Sequence, residues 1–573
     1  MPTITCKLKD LNRLATTRLT AAELEKAILF AKGEIKEYDP VSDEMKIELQ
    51  DTNRPDLWTV EGIARQLRYV IKHDGNTYPW TIKGAMPVIG DMTVDKTLDY
   101  RPYAGAIIAR NIDVTNDFLI GMIQTQEKLA NGLGRNRSSL SIGIYDLDQV
   151  TFPVHYKAVG RREISFVPLE MDKPLTPEEI LKLHPKGLEY AYILDGRAQV
   201  PMLIDDSGEV MSFPPIINSR ASGEVHVGHR NLFVEATGTS FMQLIMALNI
   251  FAADMFDRGA EICAVRVHYD IDTPLGRNVV MPVNLIRRNT IDTKMVKRWL
   301  GRGFSVQEMA ETLHNYGYTV EKTDTENQSV TVAMPAWRQD LLHPVDIMED
   351  LAIAVGYDSF IPEMPGYFTV GKTSPQTAFE DRIRDIILSF GYEEIISNIL
   401  CAKEEFTNFV REPDRRIVEI DNPMNINYAA LRDMILPSLL RVERDSSQAP
   451  YPHRLFEAGE VTVLDDKTVT GCATRRHLAV LIADREAEFA HGHSCLESLL
   501  FNLELSSSLV QQDRPIFLPG RAAKVTVSGK ELGWIGEIHP EVLDNFGIVM
   551  PCAAFEIDLD ILRELVELSK SDL

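Results

Sequence analysis

The stretch WRQDLLHPVDIMEDLAIAVGY, residues 337–357, decides how the chain is read. Its second half predicts a helix from about Pro344 to Val355, with a proline where the first helical amide has no partner to lose. On that helix Asp346, Glu349 and Asp350 stand at i, i+3 and i+4, so three carboxylates share one face. Asp340, placed at the end of the preceding strand, can close on the same face. Hard oxygen ligands so spaced suit Mg²⁺, which takes a few carboxylates and keeps several waters. Acidic residues in a first helical turn also complement the helix dipole, at ~0.3–1 kcal/mol each. Spacing alone leaves both readings open.

The flanks give an organisation. Upstream, a helix TKMVKRWL precedes Gly301, Ser305 and Glu308 cap a second helix, and SVTVAMPAW reads as a strand; Pro362 and Pro365 mark a linker. At the N-terminus TITCKL and MKIELQ alternate as strands. Thr20 with Glu23 caps one helix, Thr59 to Val70 forms another, and the turn-rich stretch from His73 to Tyr100 suggests a boundary. Between them lie β-branched runs mixed with helices, including FLIGMIQTQEKLANGL, TPEEILKL (capped by Thr176 and Glu179) and an apolar helix from Phe241 to Phe256. Downstream, helices alternate with strands such as RLFEAGEV and LGWIGEI, which fits a mostly antiparallel sheet. The expected architecture is α+β and multidomain, with domains at residues 1–85, 90–273, 277–360 (small and helical) and 366–573.

A chain of 573 residues with 45% hydrophobic and 25% charged residues is ordinary globular protein, long enough for roughly three to five domains. Its 60 Lys and Arg against 84 Asp and Glu leave a net charge of −24, which excludes bulk attraction to nucleic acid. Any RNA contact must be local; Arg135 and Arg137, and the group Arg287, Arg288, Lys294, Lys297, Arg298 and Arg302, are the candidates. The chain opens without an export signal, Phe241 to Phe256 is too short to span a bilayer, and the cysteines form no CxxC pair, so a cytoplasmic protein with reduced thiols is expected. His491, His493 and Cys495 alternate but lack a fourth metal ligand. No GxxxxGK[ST], HExxH or GxSxG occurs.

DTNRPDLWTVEGIARQLR, QEKLANGLGRNRSSLSIGIYDLD, FPPIINS with NLFVEATGTS, and the 337–357 stretch resemble the beta subunit of phenylalanyl-tRNA synthetase in its archaeal and eukaryotic cytosolic form. ISNIL, NPMNINYAALRDMILPSLL, RLFEAGEV and LPGRAAKVTV continue the likeness to the C-terminus. The resemblance implies a subunit rather than a complete enzyme. An alpha subunit carries the ATP-dependent attachment of phenylalanine to tRNA(Phe), in an (αβ)₂ heterotetramer, and the beta chain alone does not aminoacylate. Residues 90–273 become the tRNA-editing domain, 277–360 the Mg²⁺-binding domain, and 366–573 a class II synthetase-like core that has lost catalysis. The residues agree with that loss: Arg454 lacks a closely spaced Arg-x-Glu signature, and Glu537 stands where a closing motif would supply an arginine.

The resemblance also implies that Asp340, Asp346, Glu349 and Asp350 bind Mg²⁺ at a site shared with the alpha subunit. It places an editing pocket at Leu203, Ser212, Glu235 and Thr237, with Glu where the family carries Asp. Editing answers a physical need, because an apolar pocket cannot strongly reject tyrosine, an isostere of phenylalanine that only adds a hydroxyl. Glu235 is expected to accept from the phenol, and Ser212 or Thr237 to orient water or the ester. The rival readings are a free-standing Mg²⁺-dependent enzyme and a free-standing trans-editing hydrolase, both active as a single chain.

Overall fold

The computed structural model describes residues 2–50 and 53–571, with residues 569–571 by backbone alone; Asp51 and Thr52, which open the DTNRPDLW motif, lie outside the described residues. The chain forms two compact units, Met1–Met364 and Pro365–Leu573.

In the first unit β1 (Thr3–Lys7), β2 (Gly33–Asp39) and β3 (Glu44–Leu49) form a sheet in the order β1-β3-β2. The capping box at Thr20 starts α1 (Ala21–Ala27), and the Thr59 hydroxyl accepts from Gly62 N to start α2 (Val60–Lys72). A ten-stranded sheet follows. It contains β4 (Val88–Val94), β5 (Tyr103–Arg110), β6 (Leu140–Asp146), β7 (Val154–Gly160), β8 (Gln199–Ile204) and β9 (Val210–Phe213). It continues with β10 (Ile217–Asn218), β11 (Leu232–Gly238), β12 (Glu261–Tyr269) and β13 (Asn278–Met281). The order is β10-β9-β8-β7-β4-β12-β5-β11-β6, with β13 on β12; only the pairs β4–β12 and β4–β7 are parallel. β4 falls inside the stretch expected to be turns, and Tyr78 and Trp80 there are buried. Residues 1–85 and 90–273 share one hydrophobic core, running from Ile4 and Ile63 to Ile107 and Leu248, so no break between cores falls at the expected first boundary.

The two ends of the large sheet meet. Asn218 Nδ2 on β10 donates to Ile144 O on β6 at 3.4 Å, and Arg137 Nη1, just before β6, donates to Pro215 O at 3.2 Å and Ile216 O at 2.9 Å. α3 (Asn116–Lys128) covers the β6 edge, where Gln126 Nε2 donates to Ile142 O at 2.6 Å. An edge strand whose carbonyls are taken by side chains offers no template for further pairing.

α4 (Phe241–Asp257) is apolar on nearly every side and packs on β5 and β11 as a buried helix. Its one buried asparagine, Asn249, donates to Val283 O at 2.8 Å and Ala336 O at 2.9 Å and accepts from Val283 N at 3.1 Å. Asp254 and Asp257 on α4 hold Arg65 of α2 at 2.6 Å each, and Trp337 lies 4.7 Å beneath that guanidinium. The sequence around Trp337 is thereby pinned to the sheet layer.

Residues 288–355 add β14 (Arg288–Asp292), α5 (Thr293–Leu300), α6 (Val306–Asn315), β15 (Thr319–Asp324), β16 (Ser329–Ala333) and α7 (Pro344–Val355) around their own core. This region is not purely helical, since β14-β16-β15 form a sheet. The strand ends at Ala333, so Asp340 sits in the following loop rather than at a strand end.

The second unit is built on a seven-stranded sheet flanked by helices. Its elements are α8 (Pro375–Ser389), β17 (Glu393–Glu394), α9 (Leu436–Asp445), β18 (His453–Leu464), β19 (Cys472–Ala483) and α10 (Phe489–Asn502). β20 (Ser507–Gln511), β21 (Phe517–Val527), β22 (Lys530–Ile538), β23 (Cys552–Asp558) and α11 (Leu559–Ser571) follow, and Leu400–Cys401, Val418–Glu419 and Ala430–Leu431 form a separate small sheet. The order is β17-β18-β19-β23-β22-β21-β20, antiparallel apart from the short β17–β18 pair, as the alternation implied. Among the described residues no helix is long and apolar enough to cross a membrane.

Replacing Asn249 with Leu strands three backbone groups, Ala336 O buried and the N–H and C=O of Val283 half-buried, and each such loss costs up to ~1–3 kcal/mol. Asn249→Leu is expected to destabilise the first unit by about 3 kcal/mol or more in denaturant unfolding. A variant as stable as the parent would contradict the role given to this residue.

Candidate functional site

A cavity of about 330 Å³ lies where the sheet ends meet, with Ser212 of β9, Asn218 of β10 and Glu235 of β11 in its wall, together with Arg137 and Ser141. The pleat decides which residues reach it. Glu235 pairs across with Gly143, and Thr237 with Ser141, so Ser141, Gly143, Tyr145, Glu235 and Thr237 share one face of the β6–β11 ladder.

Glu235 is 2% exposed. Its Oε1 accepts from the Tyr145 hydroxyl at 3.0 Å, while Oε2 is buried with no hydrogen-bond partner. Ser212 Oγ is likewise buried and unpartnered. Gly143 makes the room: a Cβ there would stand 2.2 Å from the Tyr145 hydroxyl and 2.6 Å from Glu235 Oε1. Burial lifts the Glu235 carboxyl from its ordinary 4.5 to about 7, against the opposing pull of the Tyr145 hydrogen bond and the Arg101 charge.

Arg101, whose charge acts on Glu235, is 1% exposed and bonds only neutral acceptors. Its guanidinium donates to Thr237 Oγ1 at 3.2 Å, Thr237 O at 2.8 Å and Ser141 Oγ at 2.8 Å. It also donates to Arg137 O at 3.2 Å and Ser138 O at 3.1 Å. One side chain thus fastens the ends of β11 and β6 to the loop between α3 and β6. In that loop Arg135, Asn136 and Arg137 hold left-handed φ of 51°, 52° and 64°, a conformation costly for residues with a Cβ and kept only where the surroundings fix it. The Arg137 guanidinium, beside its bonds to Pro215 O and Ile216 O, stacks 4.4 Å over the Tyr190 ring. Arg137 is therefore committed to the cavity wall rather than free for RNA.

Of the expected pocket residues, Ser212 and Glu235 line the cavity and the other two do not. Leu203 is fully buried in the core, paired behind Ser212 on the neighbouring strand. Thr237 is fully buried on Arg101 and Ser141, one step along β11 from the wall. Tyr145, Arg101 and Asn218 went unforeseen. SIGIYD places Tyr145 on the face of Gly143 by alternation, whereas nothing local marks Arg101.

The acidic cluster is arranged differently from its expected cage. Arg338, 3% exposed, lies between Asp340 and Asp350, with bonds of 3.1 and 2.6 Å to Asp340 and 2.7 Å to Asp350, whose Oδ2 also takes the Tyr318 hydroxyl at 2.6 Å. Burial would raise the Asp340 carboxyl; the Arg338 guanidinium overrides it and holds it at about 2. Asp346 Oδ2 accepts from Leu342 N and His343 N at 2.7 Å each, closing the α7 N-terminus, and Glu349 faces Lys32 at 3.6 Å. Among the described residues no group of three or more His, Cys, Asp and Glu side chains is placed to hold a metal ion. As placed, the four carboxylates do not form one ligand set: Asp340 and Asp350 neutralise Arg338, Asp346 holds the α7 N-terminus and Glu349 faces Lys32.

His491, His493 and Cys495 also part company, to a helix cap, to Glu497 and to the core. Glu537 accepts from Phe489 N at 2.9 Å at the start of α10. Of the basic group, Arg288 and Arg302 are paired with Glu321 and Glu308, and Lys294, Lys297 and Arg298 stand exposed on α5.

Residues 289–357 match the family described as the tRNA synthetase B5 domain, and residues 361–559 that described as the phenylalanyl tRNA synthetase beta chain CLM domain. These define a chain of the aminoacyl-tRNA synthetases. Over 565 residues the chain is 35% identical to the phenylalanine–tRNA ligase beta subunit of Pyrococcus abyssi (strain GE5 / Orsay), covering 98% of this chain and 99% of that one. It is 34% identical over 545 residues to that of Borrelia hermsii (strain HS1 / DAH), covering 95% and 96%. An N-terminal fragment of the phenylalanyl-tRNA synthetase beta subunit from Pyrococcus horikoshii superposes with TM-score 0.58 at 33% identity, covering 62% of this chain and all of the fragment. The chain belongs to the phenylalanine–tRNA ligase beta-subunit family.

The Glu235 carboxyl sets a pH test. Its folded value of about 7 lies above the ordinary 4.5, so the stability it contributes is present in full below about 4.5 and is lost as pH rises through 7. Glu235→Gln, which keeps an acceptor for Tyr145, is expected to unfold at a higher midpoint than the parent at pH 8, by up to about 3 kcal/mol, and to converge with it near pH 4. A difference independent of pH would contradict the assignment.

Proposed function

We propose that this chain is the beta partner of an alpha subunit in an (αβ)₂ phenylalanine–tRNA ligase, and that its seam cavity removes tyrosine from mischarged tRNA(Phe). The observation that carries the editing reading is Glu235 Oε2, a buried carboxylate oxygen with no partner in the wall of a side-chain-sized cavity. Tyr145 already shows a phenol donating to the other oxygen of the same carboxylate at 3.0 Å. A tyrosyl group entering the cavity offers Oε2 the same bond. A phenylalanyl group displaces water from it and offers nothing, at ~1–3 kcal/mol.

In the hydrolysis water oxygen bonds to the ester carbonyl carbon, the bond to the ribose oxygen breaks, and the proton passes to that oxygen. Ser212 Oγ, the other unpartnered group of the wall, positions the ester or the water. Gly143 and Arg101 act through the shape of the ladder. Catalysis of the ligation itself belongs to the alpha subunit with ATP, in the cytoplasm, and the exposed basic residues of α5 are available to tRNA.

The test is deacylation of Tyr-tRNA(Phe) by the assembled enzyme. Glu235→Ala is expected to lower the rate at least 10-fold with phenylalanylation intact, and in the parent the preference for tyrosyl over phenylalanyl ester should grow as pH rises through 7. Parental editing by Glu235→Ala would place the site elsewhere.

For Mg²⁺ we propose a smaller site than the four carboxylates. Asp340 and Asp350 are spent on Arg338, so the site would use Asp346, through the oxygen that does not hold the α7 N-terminus, and Glu349, whose contact with Lys32 is a loose 3.6 Å, with water and the partner completing the shell. Metal analysis of the assembled enzyme is expected to show loss of bound Mg²⁺ in the double variant Asp346→Ala, Glu349→Ala. Unchanged Mg²⁺ and unchanged assembly would refute it.

A further inference from the structure

The second unit holds a cavity of about 320 Å³, at the lower end of the ~300–1,000 Å³ usual for small-molecule sites. His477 of β19, Trp534 of β22 and Glu556 of β23 line it, with Asp433 just before α9. Most polar groups in the wall are already spoken for. Glu556 accepts from Ile435 N and Leu436 N at 2.9 Å and from His477 at 2.7 Å. Arg415 donates to Asp433 Oδ2 at 2.8 Å and to Glu412 Oε2 at 2.9 Å.

Two groups remain open. Asp433 Oδ1 is buried without a hydrogen-bond partner. Arg514 lies 5.3 Å over the Trp534 ring, and its nearest carboxylate oxygen, Glu412 Oε1, is 3.7 Å away, beyond hydrogen-bond reach. Burial raises the Asp433 carboxyl, and burial together with the neighbouring Arg415 lowers the Arg514 guanidinium, as expected of charges short of partners. Two further carboxylates of the wall have partners: Asp558 Oδ1 accepts from Asp560 N at 2.8 Å and Ile561 N at 3.0 Å, and Glu531 faces Lys524 at 3.4 Å; the remaining side chains, Met434, Leu436, Ile516, Leu532 and Ile561, are apolar.

An open acceptor and an open guanidinium in one small cavity call for a ligand that brings a cation and an anion together. An anion alone would leave Asp433 Oδ1 dry, and an amine alone would leave Arg514 unanswered. We propose that this cavity binds a free apolar α-amino acid, with its ammonium on Asp433 Oδ1, its carboxylate on Arg514 and its side chain against the apolar wall. The site is separate from the tRNA-directed reading of the first unit and does not rest on it.

The experiment is calorimetric titration and thermal unfolding of the full beta chain with L-phenylalanine and L-methionine. Phenethylamine and 3-phenylpropionate serve as half-molecules, each lacking one charge. Both amino acids are expected to bind and raise the unfolding midpoint, and each half-molecule to bind at least 10-fold more weakly than phenylalanine. Asp433→Asn and Arg514→Gln should each lose at least 10-fold in affinity. Asp433→Asn keeps shape and an acceptor for Arg415, so it decides the matter should Arg514→Gln fail to fold. Absence of binding by either amino acid, half-molecules that bind as tightly as phenylalanine, or an unchanged affinity in Asp433→Asn would overturn the proposal.

Discussion

Glu235 is a carboxylate shut inside protein with one phenol for company, and the surrounding architecture exists in a form that tolerates it. An ionised group so placed would ordinarily neutralise or draw in a counter-charge. Here Tyr145 satisfies one oxygen and Arg101, bonded to Ser141 and Thr237 further along the same face of the ladder, lends positive charge without touching the other. Arg101 can do so only because neutral acceptors from β6, β11 and a left-handed loop take its five bonds. The same loop sends Arg137 across to the far end of the sheet, and that bond helps to close the cavity. Closure of the sheet and the unpaired oxygen are one feature seen at two scales.

How far the sequence foretells this depends on the range of the interactions. Helix boundaries are local chemistry, so Pro344 starting α7 and Thr20 and Thr176 building capping boxes could be read directly. Alternation placed Glu235 and Thr237 on one face of β11, yet only Glu235 reaches the cavity, because Arg101 claims Thr237. That claim spans 136 positions, and the Tyr145 bond to Glu235 spans 90. No window of local pattern contains either pair. Resemblance, which carries long-range contacts implicitly, named Ser212 and Glu235 of the wall but not the groups that hold them.

The acidic motif teaches the converse. Its i, i+3, i+4 spacing on α7 is as foreseen, but spacing says nothing of a cation arriving from within the motif itself. Arg338 stands two residues from Asp340 and buries with it, and its third donor takes Asp350. A buried guanidinium between two carboxylates meets the same electrostatic need as a metal ion, at the cost of desolvating all three. Trp337 beside it stacks on Arg65, and Asn249 holds Ala336, so this loop is where the sheet layer and the 288–355 region are joined. The sequence that decided the reading of the chain therefore serves first as a structural joint of its first unit.

We propose that Glu235 Oε2 reads a hydroxyl. The most direct test is the affinity of the chain for a non-hydrolysable, amide-linked tyrosyl-adenosine against its phenylalanyl counterpart, measured by calorimetry at pH 8. A gain of ~1–3 kcal/mol for the hydroxyl corresponds to about 5- to 150-fold tighter binding of the tyrosyl compound, and that difference should vanish in Glu235→Ala. Equal affinities for the two compounds in the parent chain would contradict the account.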